Sequence, residues 1–206
     1  MKLLVICNEL QKNEFLLKLG VKSSDILFTE STENLDNSAE VLFDLLFENT
    51  QERIAALRCF LPRPVIINSV ATTLKEMDVP FIRINGWTGF INRPVLEFVV
   101  LPSQQAMAKA IFDSLDWAYQ LLPDEPGFVS ARIVAMIVNE AFYTFGDGIA
   151  SRQSIDLAME LGTNYPKGPF SWAAQIGIGN IVCLLQALNK KEVRYTIAPA
   201  LLAMEP

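Results

Sequence analysis

The stretch from Pro126 to Phe170, PGFVSARIVAMIVNEAFYTFGDGIASRQSIDLAMELGTNYPKGPF, decides how the second half of this chain folds. Ile133, Met136, Ile137, Ala141 and Phe145 recur every three or four positions, which is the spacing of one helix face. Gly146-Asp147-Gly148 ends that run, and Ser151 offers a side-chain oxygen to start the next helix, which reaches Leu161 and stops at Gly162. Towards the C-terminus a further helix is predicted from about Pro169 to Leu188, interrupted at Gly177 and Gly179. Towards the N-terminus, Ala106, Ile111, Leu115, Ala118 and Leu122 keep the helical spacing until Pro123. The chain is therefore expected to be all-helical from Ser103 onward.

Before that point the texture changes. Short apolar runs at Lys2–Cys7, Asp25–Thr29, Val41–Phe47, Val65–Asn68, Phe81–Asn85 and Val95–Leu101 read as strands. Asn13–Leu19 and Thr50–Phe60 read as helices. Runs of four to seven apolar residues without strict alternation suit strands buried on both faces, so a small parallel α/β sheet covered by helices is the economical reading. The division falls near Pro102-Ser103, giving an α/β domain over 1–102 and a helical domain over 103–206.

Composition narrows the function classes. With 206 residues, 51% of them hydrophobic, and a formal charge of −6, the chain has no basic cluster to neutralise phosphates, so no nucleic-acid partner is expected. No apolar stretch reaches the roughly 20 residues that a spanning helix requires, so no membrane partner is expected. Met1–Cys7 lacks the length and cleavage site of a secretory signal, and the expected compartment is the cytoplasm. Cys7, Cys59 and Cys183 are far apart and odd in number, which fits reduced thiols rather than a disulfide frame or a zinc set. There is no histidine in the sequence. No imidazole is available for catalysis or metal binding.

The order and spacing of Pro126-Gly127-Phe128, Asn139-Glu140-Ala141, Asp156-Leu157-Ala158-Met159 with Gly162, and Pro166-Lys167-Gly168-Pro169-Phe170 resemble the C-terminal helical domain of the 3-hydroxyacyl-CoA dehydrogenases. Arg194-Tyr195 and Pro199-Ala200-Leu201-Leu202 resemble the end of that domain. The first half is similar over Val41–Asn49, Val65–Leu74 and Ile84–Val100. The resemblance implies a Rossmann-like first domain, shorter here than in the family, a helical dimerisation domain, and an ancestry in fatty acid metabolism.

It also implies where the chemistry would sit. The family's three phosphate-cradling glycines fall on Cys7, Glu9 and Lys12, and Glu9 would oppose a pyrophosphate, so NAD is not expected as a cofactor. No metal is expected. The family's catalytic histidine falls on Gly86 and its orienting glutamate on Phe98; Glu97 is adjacent, but a one-residue offset on a strand turns a side chain to the other face. The substrate-contacting serine falls on Thr72, and a family asparagine falls on Ala131, beside Arg132. Catalytic residues of the family type are thus absent. Candidate ligand contacts are Thr72, Asn85, Trp87 and Arg132. The loop Asn85-Gly86-Trp87-Thr88-Gly89 has two readings, a cover over a small ligand or a turn whose Trp87 fills space.

The function expected is that of a degenerate member without the usual dehydrogenase activity, a homodimer binding an acyl-CoA-like ligand or a partner. The alternative is an active oxidoreductase of the same family on a short hydroxyacyl substrate, with Glu97 or a water as base.

Overall fold

The computed structural model describes every residue except 21–24, 34, 37, 205 and 206. Its backbone divides into two compact units, Met1–Phe128 and Val129–Pro206.

The first unit is built from β1 (Lys2–Ile6), α1 (Glu9–Leu19), β2 (Asp25–Thr29), β3 (Val41–Asp44), α2 (Gln51–Arg58), β4 (Val65–Asn68), α3 (Leu74–Met77), β5 (Ile82–Ile84), β6 (Val95–Val99), α4 (Gln105–Leu115) and β7 (Ala118–Leu121). Among the described residues the strands form one sheet in the order β2-β1-β3-β4-β5-β6-β7. Strands β1 to β4 pair in parallel with their neighbours, and β4 with β5 likewise, as the buried apolar runs predict. The pair β5–β6 is antiparallel, so the sheet is mixed rather than wholly parallel. Both faces are covered. Leu3, Val5, Phe43, Ile66, Ile84 and Phe98 pack on one side with Phe15 of α1 and Phe112 of α4. Their neighbours Leu4, Leu42 and Ile67 are also fully buried, and successive strand residues point to opposite faces.

The helical reading of 106–122 is wrong after Leu115. Asp116 takes a left-handed φ of 61°, and Trp117 N–H donates to Phe112 O at 3.0 Å, closing the helix end. The chain then forms β7, parallel to β6. Ala118 and Leu122 share the helical spacing by coincidence with a strand's alternation, and an aspartate at the turn gives a weaker stop signal than glycine. The expected division near residue 102 consequently lies inside the first unit, because α4 packs on the sheet and β7 belongs to it. Trp117, expected on a helix, sits before β7 and packs edge-on to Phe15 at 5.2 Å.

The second unit contains α5 (Ser130–Gly146), α6 (Arg152–Thr163), α7 (Pro169–Ile176), α8 (Ile178–Asn189) and α9 (Pro199–Leu202). The helix predicted from Pro169 to Leu188 is two helices bent by 98° at Gly177, whose φ of 92° is left-handed. Among the described residues no single helix is long and apolar enough to cross a membrane. The distinctive motif residues hold this unit together. Buried Asn139 donates from Nδ2 to Thr196 O at 2.9 Å and accepts Ala198 N–H at 2.8 Å, tying α5 to the start of α9. Asp156 accepts the N–H groups of Phe170 and Ser171 at 2.8 and 3.0 Å, capping α7 from α6. A Cβ on Gly168 would lie 2.2 Å from Asp156 Cγ, so that contact requires glycine.

Candidate functional site

Open α/β sheets bind ligands outside the carboxyl ends of their strands, where the strand order reverses, which here is the edge beyond β1 and β3. At that edge β1 runs through buried Cys7 to Asn8, the N-cap of α1. Asn8 Oδ1 accepts Gln11 N–H at 2.9 Å, and Gln11 Oε1 accepts Asn8 N–H at 3.2 Å. This reciprocal pair consumes donors at the helix start that a phosphate would otherwise use. Glu9 is not an isolated repulsive charge, since Lys12 Nζ lies 3.0 Å from its carboxylate. The obstacle to a pyrophosphate is therefore the cap and the missing glycines more than Glu9. Burial pushes the Cys7 thiol up to about 11, so it is neutral and unreactive at physiological pH.

Asp44 ends β3, fully buried, and its two oxygens receive Arg53 Nε and NH2 at 2.7 and 2.6 Å. Burial, the dominant influence, raises the Asp44 carboxyl pKa, while Arg53 pulls it down. The remaining edge is occupied by amides. Gln11 Nε2 and Asn68 Nδ2 both donate to Leu45 O, at 2.8 and 3.1 Å, and Asn68 Oδ1 accepts Gly86 N–H at 3.0 Å. A Cβ placed on Gly86 would meet Asn68 Cβ at 2.9 Å. No side chain fits there without displacing Asn68.

The antiparallel ladder pairs Ile84 with Phe98 and Arg83 with Val99. Asn85 and Glu97 are next, with Asn85 N–H donating to Glu97 O at 3.2 Å and Asn85 Nδ2 to Glu97 Oε2 at 3.1 Å. Phe98 instead faces the core, edge-on to Phe112 at 5.0 Å and Tyr119 at 5.5 Å. The gapless placement of the polar pair at Gly86 and Phe98 puts it on a closed position and a core position. Shifting by one residue gives Asn85 and Glu97, which the structure does bring together.

The other expected contacts do not converge on this pair. Trp87 is buried and packs edge-on to Phe90 at 5.9 Å, and Gly89 N–H donates to Glu14 of α1 at 2.7 Å. Lys18 Nζ holds Arg93 O, so the loop is pinned to α1, and Trp87 fills space. Thr72 lies half-buried in the turn before α3, where its carbonyl accepts from Ser69 Oγ at 2.9 Å. Arg132 belongs to α5 in the other unit. In that unit a groove of about 400 Å³ is lined mainly by Ile137, Ala141, Ile155, Ala158, Met159 and Pro169.

Sequence reasoning missed Asn68, Gln11 and the Asp44–Arg53 pair. The spacing Asn8-x-x-Gln11 was a legible capping signal. Asn68 carried none, since its role depends on the neighbouring strand.

Residues 127–204 match the sequence model of the 3-hydroxyacyl-CoA dehydrogenase C-terminal domain. The chain is 29% identical over 193 residues to a 3-hydroxybutyryl-CoA dehydrogenase from Clostridioides difficile, covering 89% of this chain and 66% of that protein. It is 34% identical over 155 residues to a 3-hydroxyadipyl-CoA dehydrogenase from Escherichia coli, covering 75% of this chain and 29% of the relative. The chain thus spans less than two thirds of the length of either relative. Its fold is similar to the crystal structure of an (S)-3-hydroxybutyryl-CoA dehydrogenase from Ralstonia eutropha, with a TM-score of 0.71 at 22% identity over 87% of this chain and 69% of that one.

Proposed function

We propose, from the premise that residues 127–204 are a 3-hydroxyacyl-CoA dehydrogenase C-terminal domain, that this chain has lost the dehydrogenase reaction and serves as a binding protein for an acyl-CoA-like ligand. One observation carries the reading. The polar pair at the carboxyl end of β5 is Asn85 with Glu97, an amide oriented by a carboxylate. An amide has no basic lone pair near neutral pH and cannot accept the hydroxyl proton that hydride removal releases. Gly86, beside it, has no room for another group.

The dinucleotide does not fit either. The start of α1 is capped by its own side chains, and no glycine stands among residues 7–12 to let a pyrophosphate approach.

Two further parts of the proposal have their own support. The helical unit exposes Ile133, Ile149, Leu157 and Leu161 beside its apolar groove, a surface suited to burial against a second copy. The three cysteines are free, which suits a reducing cytoplasm.

Incubation with NADH and acetoacetyl-CoA tests the proposal, read as loss of NADH absorbance, with coenzyme A and acetoacetyl-CoA titrated in parallel. No turnover together with saturable acyl-CoA binding is the expected result. Sustained NADH oxidation that depends on acetoacetyl-CoA would overturn it.

A further inference from the structure

The amides at the carboxyl edge of the sheet form one continuous run. It begins at Asn8 N–H, which donates to Gln11 Oε1, and passes through Gln11 Nε2 to Leu45 O. Leu45 O also receives Asn68 Nδ2, so both lone pairs of that carbonyl are used. Asn68 Oδ1 then accepts Gly86 N–H, which carries the run from the β1–α1 turn across the ends of β3 and β4 to β5. Four segments far apart in sequence are joined at the place where α/β sheets leave a crevice for a ligand.

We propose that this run is a built-in occupant of the crevice, with Asn68 as its latch, so that the sheet unit is closed to phosphate-bearing dinucleotides and complete without one. Asn8 N–H, Gln11 N–H, Leu45 O and Gly86 N–H, groups along this edge that could meet a ligand, are bonded within the chain itself. Leaving the buried Gly86 N–H unpaired would be costly, and Asn68 supplies its acceptor while adding a second donor to Leu45 O beside that of Gln11. Gly86 follows from the latch. Its φ is not in the left-handed region, so glycine is required there only by the approach of Asn68, whose Cβ, Cγ and Oδ1 would lie 2.9, 3.0 and 3.2 Å from an added Cβ. The inference goes beyond the lost proton acceptor, since a closed crevice and an absent base are separate properties of this edge.

The test is a stability cycle on the full chain combining Asn68→Gly with Gly86→Ala. In the parent, Gly86→Ala forces a methyl against Asn68, and the melting temperature falls by roughly 3–10 °C. In the Asn68→Gly background the three atoms nearest the added methyl are gone, and the same change costs little. Should Gly86→Ala alone fail to fold, folding of the double variant supports the latch, and its failure overturns it. Equal losses in both backgrounds also overturn it. A second readout is hydrogen exchange at the Gly86 amide. Asn68→Leu keeps the branched side-chain shape and removes the acceptor, so exchange there rises about tenfold, while β1 amides are unchanged. Unaltered exchange at Gly86 would contradict the proposal. Neither readout measures turnover, so an active enzyme would sink the functional reading above and leave this one standing or falling by itself.

Discussion

Arg83 lies in an apolar run, FIRI, and is fully buried, a placement that must be compensated group by group. Its guanidinium pairs with Asp124, donates to Ser69 O at 2.9 Å, and stacks over the Phe128 ring at 4.9 Å. Asp124 also accepts Leu74 and Lys75 N–H at 3.1 and 3.0 Å, so the pair joins β5, α3 and the segment after β7. Burial lowers the Arg83 pKa and Asp124 opposes that shift. Asp124→Ala would leave a buried cation without its partner. The expected loss is about 3 kcal/mol in urea unfolding, the low end of the range because the Asp124 side chain is 27% exposed. Asp124→Asn, which keeps an acceptor, should cost about half as much. Cys7 offers a second check at this scale. Its raised pKa of about 11 means it stays protonated through pH 8 and becomes a thiolate only well above that. In the native protein at pH 8 iodoacetamide should modify exposed Cys59 and spare Cys7, and unfolding should expose Cys7 to labelling.

Elements were legible in proportion to how locally they are determined. The positions of β1, β2 and β4 followed from continuous apolar runs bounded by polar residues, and Ser151 does cap α6, accepting Ser154 N–H at 3.1 Å. The α4–β7 turn was not legible, because Asp116 carries the left-handed conformation that glycine usually signals. The antiparallel β5–β6 pair was hidden for a different reason: pairing direction is set by the loop 85–94, which α1 holds through Glu14 and Lys18. The same long-range dependence concealed the site. Asn85 and Glu97 were both named from sequence, but their pairing emerged only from the ladder register. The α6–α7 junction gives a prediction for elements. Gly168→Ala sets a methyl against the Asp156 carboxylate that caps α7, so thermal unfolding should drop by the equivalent of about 2–3 kcal/mol. A variant as stable as the parent would show that α7 can shift away from α6 at little cost.

For the whole molecule, the match to the family model lies in the helical unit and its first adjoining residues, 127–204. In the helical unit the motif residues Asn139, Asp156 and Gly168 hold structural contacts between helices. In the sheet unit the positions that serve chemistry in the resemblance hold Cys7, Glu9, Lys12, Gly86 and Phe98, and the freed edge is bound up by Gln11 and Asn68. Fold likeness to the Ralstonia eutropha enzyme therefore does not transfer its reaction, because activity depends on the site rather than the scaffold. A calorimetric titration of NADH into the purified chain tests this account most directly. Heats indistinguishable from dilution up to millimolar NADH are predicted. Saturable one-to-one binding would contradict it, since it would require a seat for the pyrophosphate at the end of β1, where the capping box already takes the Asn8 and Gln11 N–H groups and no glycine allows a close approach.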